Sequence, residues 1–351
     1  MYSAKSKHVW MVLLFVGLSL SACAPTLRQI PVDAGLAASE AEKQRELALD
    51  LMMKRDDRLT DVAFPLRRAA ADLCSEHQKV MGIRFHDKST YLPEYRQAAA
   101  NLYTVGNAVQ VRSVCPGFPA AEAGIAPKDS ILAVDGAPVK NTKDAMKKLK
   151  KAAERGSAVT LTVANSDGRH DVLVPFVTVA AYPVELAAND EINAFADGEK
   201  VYIATGMLRF AETEEELAVV VGHELAHNCL GHTGKKTGNW LLGSLVDAAV
   251  LAGTGVDTGN LFGAVAGNSF SKEFEAEADY MGLYLVQRAG YDITSAPQFW
   301  RRMAAEYPSS IKHSYTASHP STPERFLALQ NTVAEIDRKT SAGEPLIPER
   351  R

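Results

Sequence analysis

No stretch of this chain is both long and apolar enough to read as a comfortable membrane span. Val9 to Leu20 falls short of the ~20 residues that a spanning helix needs. The Gly- and Ala-rich stretch from Trp240 through Val256 is also short and carries Asp247 in its middle, so it reads as core beside a site, with contact at a membrane surface as the sharper alternative. An excess of one charge is missing too, and a formal net charge of −4 gives no electrostatic footprint for nucleic acid. Cysteine is scarce, with four in 351 residues. What remains is ordinary: 46% hydrophobic residues, enough for two compact domains with short tails.

The first residues read as an export signal. Lys5 and Lys7 precede the short apolar core, and Leu20-Ser21-Ala22-Cys23 matches a bacterial lipobox. On this reading residues 1–22 are a signal peptide, Cys23 is lipidated, and the acyl chains hold the protein to a membrane surface facing the periplasm. Ala24 rather than Asp follows the cysteine, which favours transfer to the outer membrane over retention at the inner one. Cys74, Cys115 and Cys229 then remain in a compartment that permits disulfides. Cys229 reads as a buried thiol, and Cys74 with Cys115 is the expected pair.

The chemistry is carried by Gly222-His223-Glu224-Leu225-Ala226-His227-Asn228. Residues four apart share one face of a helix, so His223 and His227 aim at one ion while Glu224 sits beside it as a base for water. Thr213, with Glu216 three positions on, gives a capping-box start, and Gly231 gives the stop. Downstream, Glu275, Glu277 and Asp279 compete for the third ligand position. Glu275 and Asp279 share a face, Glu277 points elsewhere, and spacing does not say which of the pair binds the metal. Two histidines and a carboxylate leave a position open to water, the mark of a catalytic zinc site rather than a closed structural one.

Residues 106–177 have a different texture. Ala120-Ala121-Glu122-Ala123-Gly124-Ile125 and then Asp129 to Gly136 predict a tight turn, a strand and a second turn at Asp135-Gly136. Asn141 to Glu154 reads as a helix whose lysines form one solvated face. Val159 to Val163 and Val172 to Val174 are closing strands, with Asp167-Gly168 turning between them. This segment resembles a bacterial PDZ domain, which implies a groove for C-terminal peptides. Its carboxylate loop would come from Met81-Gly82-Ile83-Arg84-Phe85, separated from Val109 by a long insertion containing Pro93 and Tyr95, so the groove is altered or covered.

The later half resembles the membrane-associated gluzincin proteases that include HtpX, BepA and the CAAX prenyl proteases, over roughly residues 180–335. The resemblance rests on HELAH, on the run Glu275 to Asp279, on Ile192-Asn193-Ala194-Phe195-Ala196 ahead of Tyr202 and Gly206, and on Ser318-His319-Pro320 with Arg325. It implies that Glu275 is the third ligand of one zinc ion per chain and that Asp279 holds a zinc histidine from behind. It implies that Asn193, Ala194 and Phe195 lie on an edge strand that pairs with extended substrate. It also implies that His319 approaches the metal, either closing the site or, like Arg325, steadying an oxyanion. The helical-repeat domain that follows the protease in BepA has no counterpart after Arg325.

The expected fold class is therefore α+β: a mainly helical zincin-type metalloprotease domain with a small cleft sheet, plus a PDZ-type partly open β-barrel. In order, the chain reads as a linker at 23–35, helices at 36–76 (Ala37 to Arg58 and Val62 to Glu76) packing on the protease domain, a PDZ-like domain at 78–177 that is inserted into the protease or, alternatively, one of three modules in simple series, the protease domain at 178–338 and a tail at 339–351. The expected function is a zinc endopeptidase acting on unfolded or misassembled envelope proteins. The rival is a lipoprotein chaperone or adaptor that captures chains and rarely cleaves them.

Overall fold

The structure, a computed structural model, describes residue 27 and residues 30–234, 271–306 and 323–350. Cys23, the stretch from Trp240 to Val256, and Ser318, His319 and Pro320 lie outside the described residues. The chain divides into two compact units after Arg45. The first contributes the opening turns of helix α1 (Ala34–Ala69), where Asp33 Oδ1 accepts the Leu36 N–H at 2.9 Å and the side chains are largely exposed. Everything that follows belongs to the second unit.

The sequence reading divides this region into helices at 37–58 and 62–76, whereas the structure runs one helix through both and ends it at Ala69. The apolar face continues across the expected gap, and Leu59, Val62, Ala63 and Leu66 are buried in one cluster with Leu217, Val220 and Val221. Burial at roughly 1.5–3 kcal/mol per large aliphatic side chain outweighs the one hydrogen bond lost at Pro65.

After α1 come strands β1 (His77–Val80) and β2 (Ile83–His86), two 3₁₀ turns, helix α2 (Arg96–Tyr103), β3 (Val109–Val114), the short α3 (Pro119–Glu122), β4 (Ser130–Val134), β5 (Ala137–Pro138), α4 (Thr142–Arg155), β6 (Ala158–Asn165) and β7 (Gly168–Pro175). They form an antiparallel sheet in the order β2-β3-β4-β6-β7, with β5 pairing β4. Asp135 and Gly136 both take positive φ at the β4–β5 hairpin, as an Asp-Gly turn requires. The Asn141 side chain caps α4 by accepting the Asp144 N–H at 2.9 Å. The insertion after β2 builds its own small core, in which Tyr91, Ala98, Ala99 and Val105 close on Leu49 of α1. β1 pairs antiparallel with β8 (Val177–Ala180), so the chain leaves and rejoins the helical body through one ribbon.

The remaining elements are β9 (Val184–Ala187), β10 (Ala194–Ala196), β11 (Val201–Ala204), α5 (Thr205–Phe210), α6 (Glu214–Cys229), α7 (Lys272–Arg288), α8 (Ala296–Glu306) and α9 (Pro323–Ser341). The three strands form a sheet in the order β10-β11-β9, which leaves β10 at an edge. α6 is buried on every face from Glu216 to Asn228 and is the axis of this half. Among the described residues, no helix is long and apolar enough to cross a membrane.

The disulfide differs from expectation. Cys74 bonds Cys229, with Cα atoms 4.6 Å apart, and Cys115 is a buried free thiol. The reason is where the elements end. The turn after α1 brings Cys74 to the last residue of α6, while Cys115 sits with Phe118 and Val179 in a separate small cluster on the PDZ side. Burial pushes the Cys115 thiol up to about 12, far from reactive thiolate.

Two outcomes follow from this architecture. Cys229→Ser should lower the unfolding free energy by about 2–4 kcal/mol in denaturant titrations, and reductant should then have no further effect. His86, buried with its Nδ1 2.7 Å from the Tyr91 hydroxyl, is pushed down to about 4 by burial and by Arg112. The unfolded chain takes up a proton at His86 near pH 6.5 and the folded one does not, so stability is full above that pH and falls as pH drops toward about 4. Urea midpoints measured across this window should show a shallower fall in His86→Gln.

Candidate metal centre

The site is built where α6 and α7 cross. A Cβ added to Gly222 would lie 3.0 Å from the Gly282 carbonyl oxygen, and one added to Gly282 would lie 3.0 Å from the His223 backbone nitrogen. Two glycines therefore let the helix backbones touch, which brings the face carrying His223 and His227 against the face carrying Glu275 and Asp279. α6 starts as its sequence suggests, with Thr213 Oγ1 accepting the Glu216 N–H at 3.3 Å and three glutamates in the positive first turn. Glu216 does not close the capping box on Thr213. Its carboxylate accepts the Glu212 N–H at 2.8 Å and is gripped by the Arg302 fork at 2.7 and 2.8 Å. Gly231, with φ of +66°, ends the helix.

Among the described residues, the ligating group that converges on one point is His223, His227 and Glu275. His223 Nε2 and His227 Nε2 are 3.1 Å apart, and they lie 3.5 and 3.4 Å from the oxygens of Glu275. Four donors arranged tetrahedrally at about 2.0–2.1 Å from zinc stand about 3.4 Å from one another, so these edges fit the ion. Charge fits as well. Glu224, Glu275 and Asp279 are buried against one buried guanidinium, Arg325. A divalent cation at this point would add to the positive charge set against the three carboxylates.

The carboxylates that spacing left open divide by distance. Glu275 faces both Nε2 atoms, whereas Asp279 Oδ1 is 3.0 Å from His223 Nδ1 and holds that ring from behind. Glu277 is exposed and points to another partner, His232. Burial would lower the His223 imidazole, but its bonds to Asp279 and Glu275 outweigh that and hold it up at about 9. Burial would likewise raise Asp279, and the Arg325 charge outweighs it and keeps the carboxyl below the usual range.

Arg325, expected to steady an oxyanion, lies among carboxylates. Its Nε and Nη2 bond the two oxygens of Asp279 at 2.6 and 2.9 Å, its Nη1 lies 3.1 Å from Glu275, and Trp300 covers it with the ring centroid 4.7 Å away. A fork spent on two carboxylates acts as their counterion. The cleft strand begins one residue later than expected, with Asn193 just before β10, whose Phe195 is exposed and stacks on Tyr202 at 4.9 Å. Glu224 is buried one residue beyond His223.

Two further buried residues beside the site escaped the sequence reading. The buried Asn228 accepts the Gly198 N–H and donates to the Lys200 carbonyl, both at 2.9 Å, stitching the β10–β11 hairpin to the metal helix. His232 is buried against His227. Only adjacency to the motif marks Asn228, and His232 lies beyond Gly231, where the helical spacing that flagged the other ligands no longer applies.

Gly282→Ala should force the crossing apart. We expect a loss of about 1–3 kcal/mol in urea unfolding, together with weaker zinc retention under dialysis against chelator.

Comparison with known proteins gives matches in two parts of the chain. Residues 170–333 match the model of peptidase family M48, and residues 79–175 match a PDZ domain model. Mitochondrial metalloendopeptidase OMA1 of Schizosaccharomyces pombe is 33% identical over 160 residues, covering 42% of this chain and 46% of that protein. Beta-barrel assembly-enhancing protease of Escherichia coli K12 is 33% identical over 167 residues, covering 43% of this chain and 34% of its own length. The chain thus spans between a third and a half of the length of these relatives. Among solved structures, the HtrA3 PDZ domain bound to a phage-derived ligand matches at 21% identity with a TM-score of 0.23, covering 30% of this chain and 89% of that one. The chain thus carries a segment similar to peptidase family M48, with the HExxH helix inside it, preceded by a segment similar to a PDZ domain.

Proposed function

We propose that the protein is a zinc-dependent endopeptidase, and the observation that carries this reading is the triangle of His223, His227 and Glu275 with Glu224 buried beside it. Bound there, zinc supplies a Lewis acid that makes water nucleophilic near neutral pH and polarises a carbonyl. Glu224 takes the proton of the attacking water and passes it to the leaving amine. Asp279 and Arg325 keep His223 and Glu275 oriented. β10, at the edge of its sheet, pairs with the substrate backbone and holds the scissile bond extended, with Phe195 offering an apolar contact.

The wider setting belongs to the same proposal. Cys23 anchors the chain to a membrane facing the periplasm, with the outer membrane as the favoured address. Unfolded or misassembled envelope proteins are the substrates, in line with the name of the Escherichia coli relative. His319 is proposed to act near the metal, as a cap or as an oxyanion donor. The PDZ domain is the observation that favours a second reading, an adaptor that holds C-terminal peptides and cleaves little.

One variant separates the two. The full chain should bind one zinc and cleave casein, and Glu224→Gln should keep the zinc while losing cleavage by a factor of about 10² to 10⁴. Cleavage retained in Glu224→Gln would sink this mechanism. Zinc bound without cleavage by the parent would favour the adaptor.

A further inference from the structure

We propose that His232 and Glu277 position the metal ligand His227, with His232 setting its tautomer and Glu277 setting that of His232. This rests on the metal-centre reading above. His232 is buried, and its Nδ1 is 3.0 Å from His227 Nδ1. Its Nε2 is 3.0 Å from an oxygen of Glu277, the one acidic residue of the Glu275–Asp279 run that is exposed. The ring itself is clamped: Phe274 stacks on it with centroids 4.4 Å apart and planes 15° from parallel. The two imidazoles meet edge to face, 5.1 Å between centroids.

Only one proton arrangement satisfies this chain while leaving His227 able to bind metal. Ligation through Nε2 requires that nitrogen to be bare, so the proton of neutral His227 sits on Nδ1 and is donated to His232. His232 must accept at Nδ1, so its own proton sits on Nε2 and is donated to Glu277. A carboxylate only accepts, and it closes the sequence without ambiguity. The two histidine ligands are thus held by unlike devices. His223 leans directly on Asp279, buried and paired with Arg325, whereas His227 leans on an intervening imidazole whose carboxylate reaches solvent. Because Phe274 and Glu277 flank Glu275 on α7, the same contacts tie the start of α7 to the end of α6, where the third ligand has to arrive.

The test is zinc affinity of the full chain, measured by competition with a chromophoric chelator and set beside the melting temperature of the metal-free protein. His232→Leu should bind zinc about 10- to 100-fold more weakly with its metal-free melting unchanged. His232→Gln, whose Oε1 can accept the same N–H, should stay within about threefold of the parent. A folded His232→Leu that holds zinc as tightly as the parent overturns the proposal, and so does a His232→Gln as weak as His232→Leu. If His232→Leu does not fold, Glu277→Ala at its exposed position decides: weaker zinc binding supports the relay and unchanged binding overturns it. A parent that binds no zinc removes the metal centre and this inference together, whereas a parent and variants that bind equally remove the inference alone.

Discussion

The close crossing of two helices at Gly222 and Gly282 is the constraint on which the site depends. Neither position has room for a methyl group without moving backbone on the other helix. That proximity lets a glutamate, whose side chain reaches only a few ångströms, meet two imidazoles across a helix interface. It also forces three carboxylates into the same dry space. Buried charge of one sign is tolerable only with compensation. Arg325 supplies part of it from α9, reaching Asp279 and Glu275 with one planar fork. A divalent cation at the same point would add to it.

Around this crossing the fold is arranged to hold α6 at both ends. At its start, Arg58 of α1 gives its guanidinium to the carbonyls of Leu208, Ala211 and Thr213 and to the Glu214 carboxylate. At its finish, Cys74 is bonded to Cys229 and Asn228 grips the cleft hairpin. Long-range ties at each terminus leave little freedom to a helix already buried on every face. A rigid scaffold is what a site needs when its ligands must stay within a few tenths of an ångström of one geometry.

The PDZ half was legible in the sequence because its signals are local. Gly124, Asp135, Gly136 and Gly168 stand at turns with positive φ, strands alternate, and an Asn caps a helix that then shows its lysines to water. The disulfide was not legible, since three cysteines allow several pairings and nothing local says which strand or helix ends meet. The same limit covers the Arg325–Asp279 pair: a lone arginine carries no mark of what its fork will touch. The expected break in α1 failed because tertiary burial of Leu59 and Val62 overrode the local cues.

What the sequence determined by itself was the chemistry: the helical spacing of His223 and His227, the adjacent Glu224, and two carboxylates on one face downstream. Periodicity suffices there because one helix places its own side chains relative to one another. Which carboxylate faces both imidazoles, what stands behind each ring, and which cysteine closes the scaffold were decided only by tertiary structure. Those facts depend on how separate elements cross, and the crossing is set by side-chain volume, here by the absence of one at two glycines, rather than by any pattern along a single element.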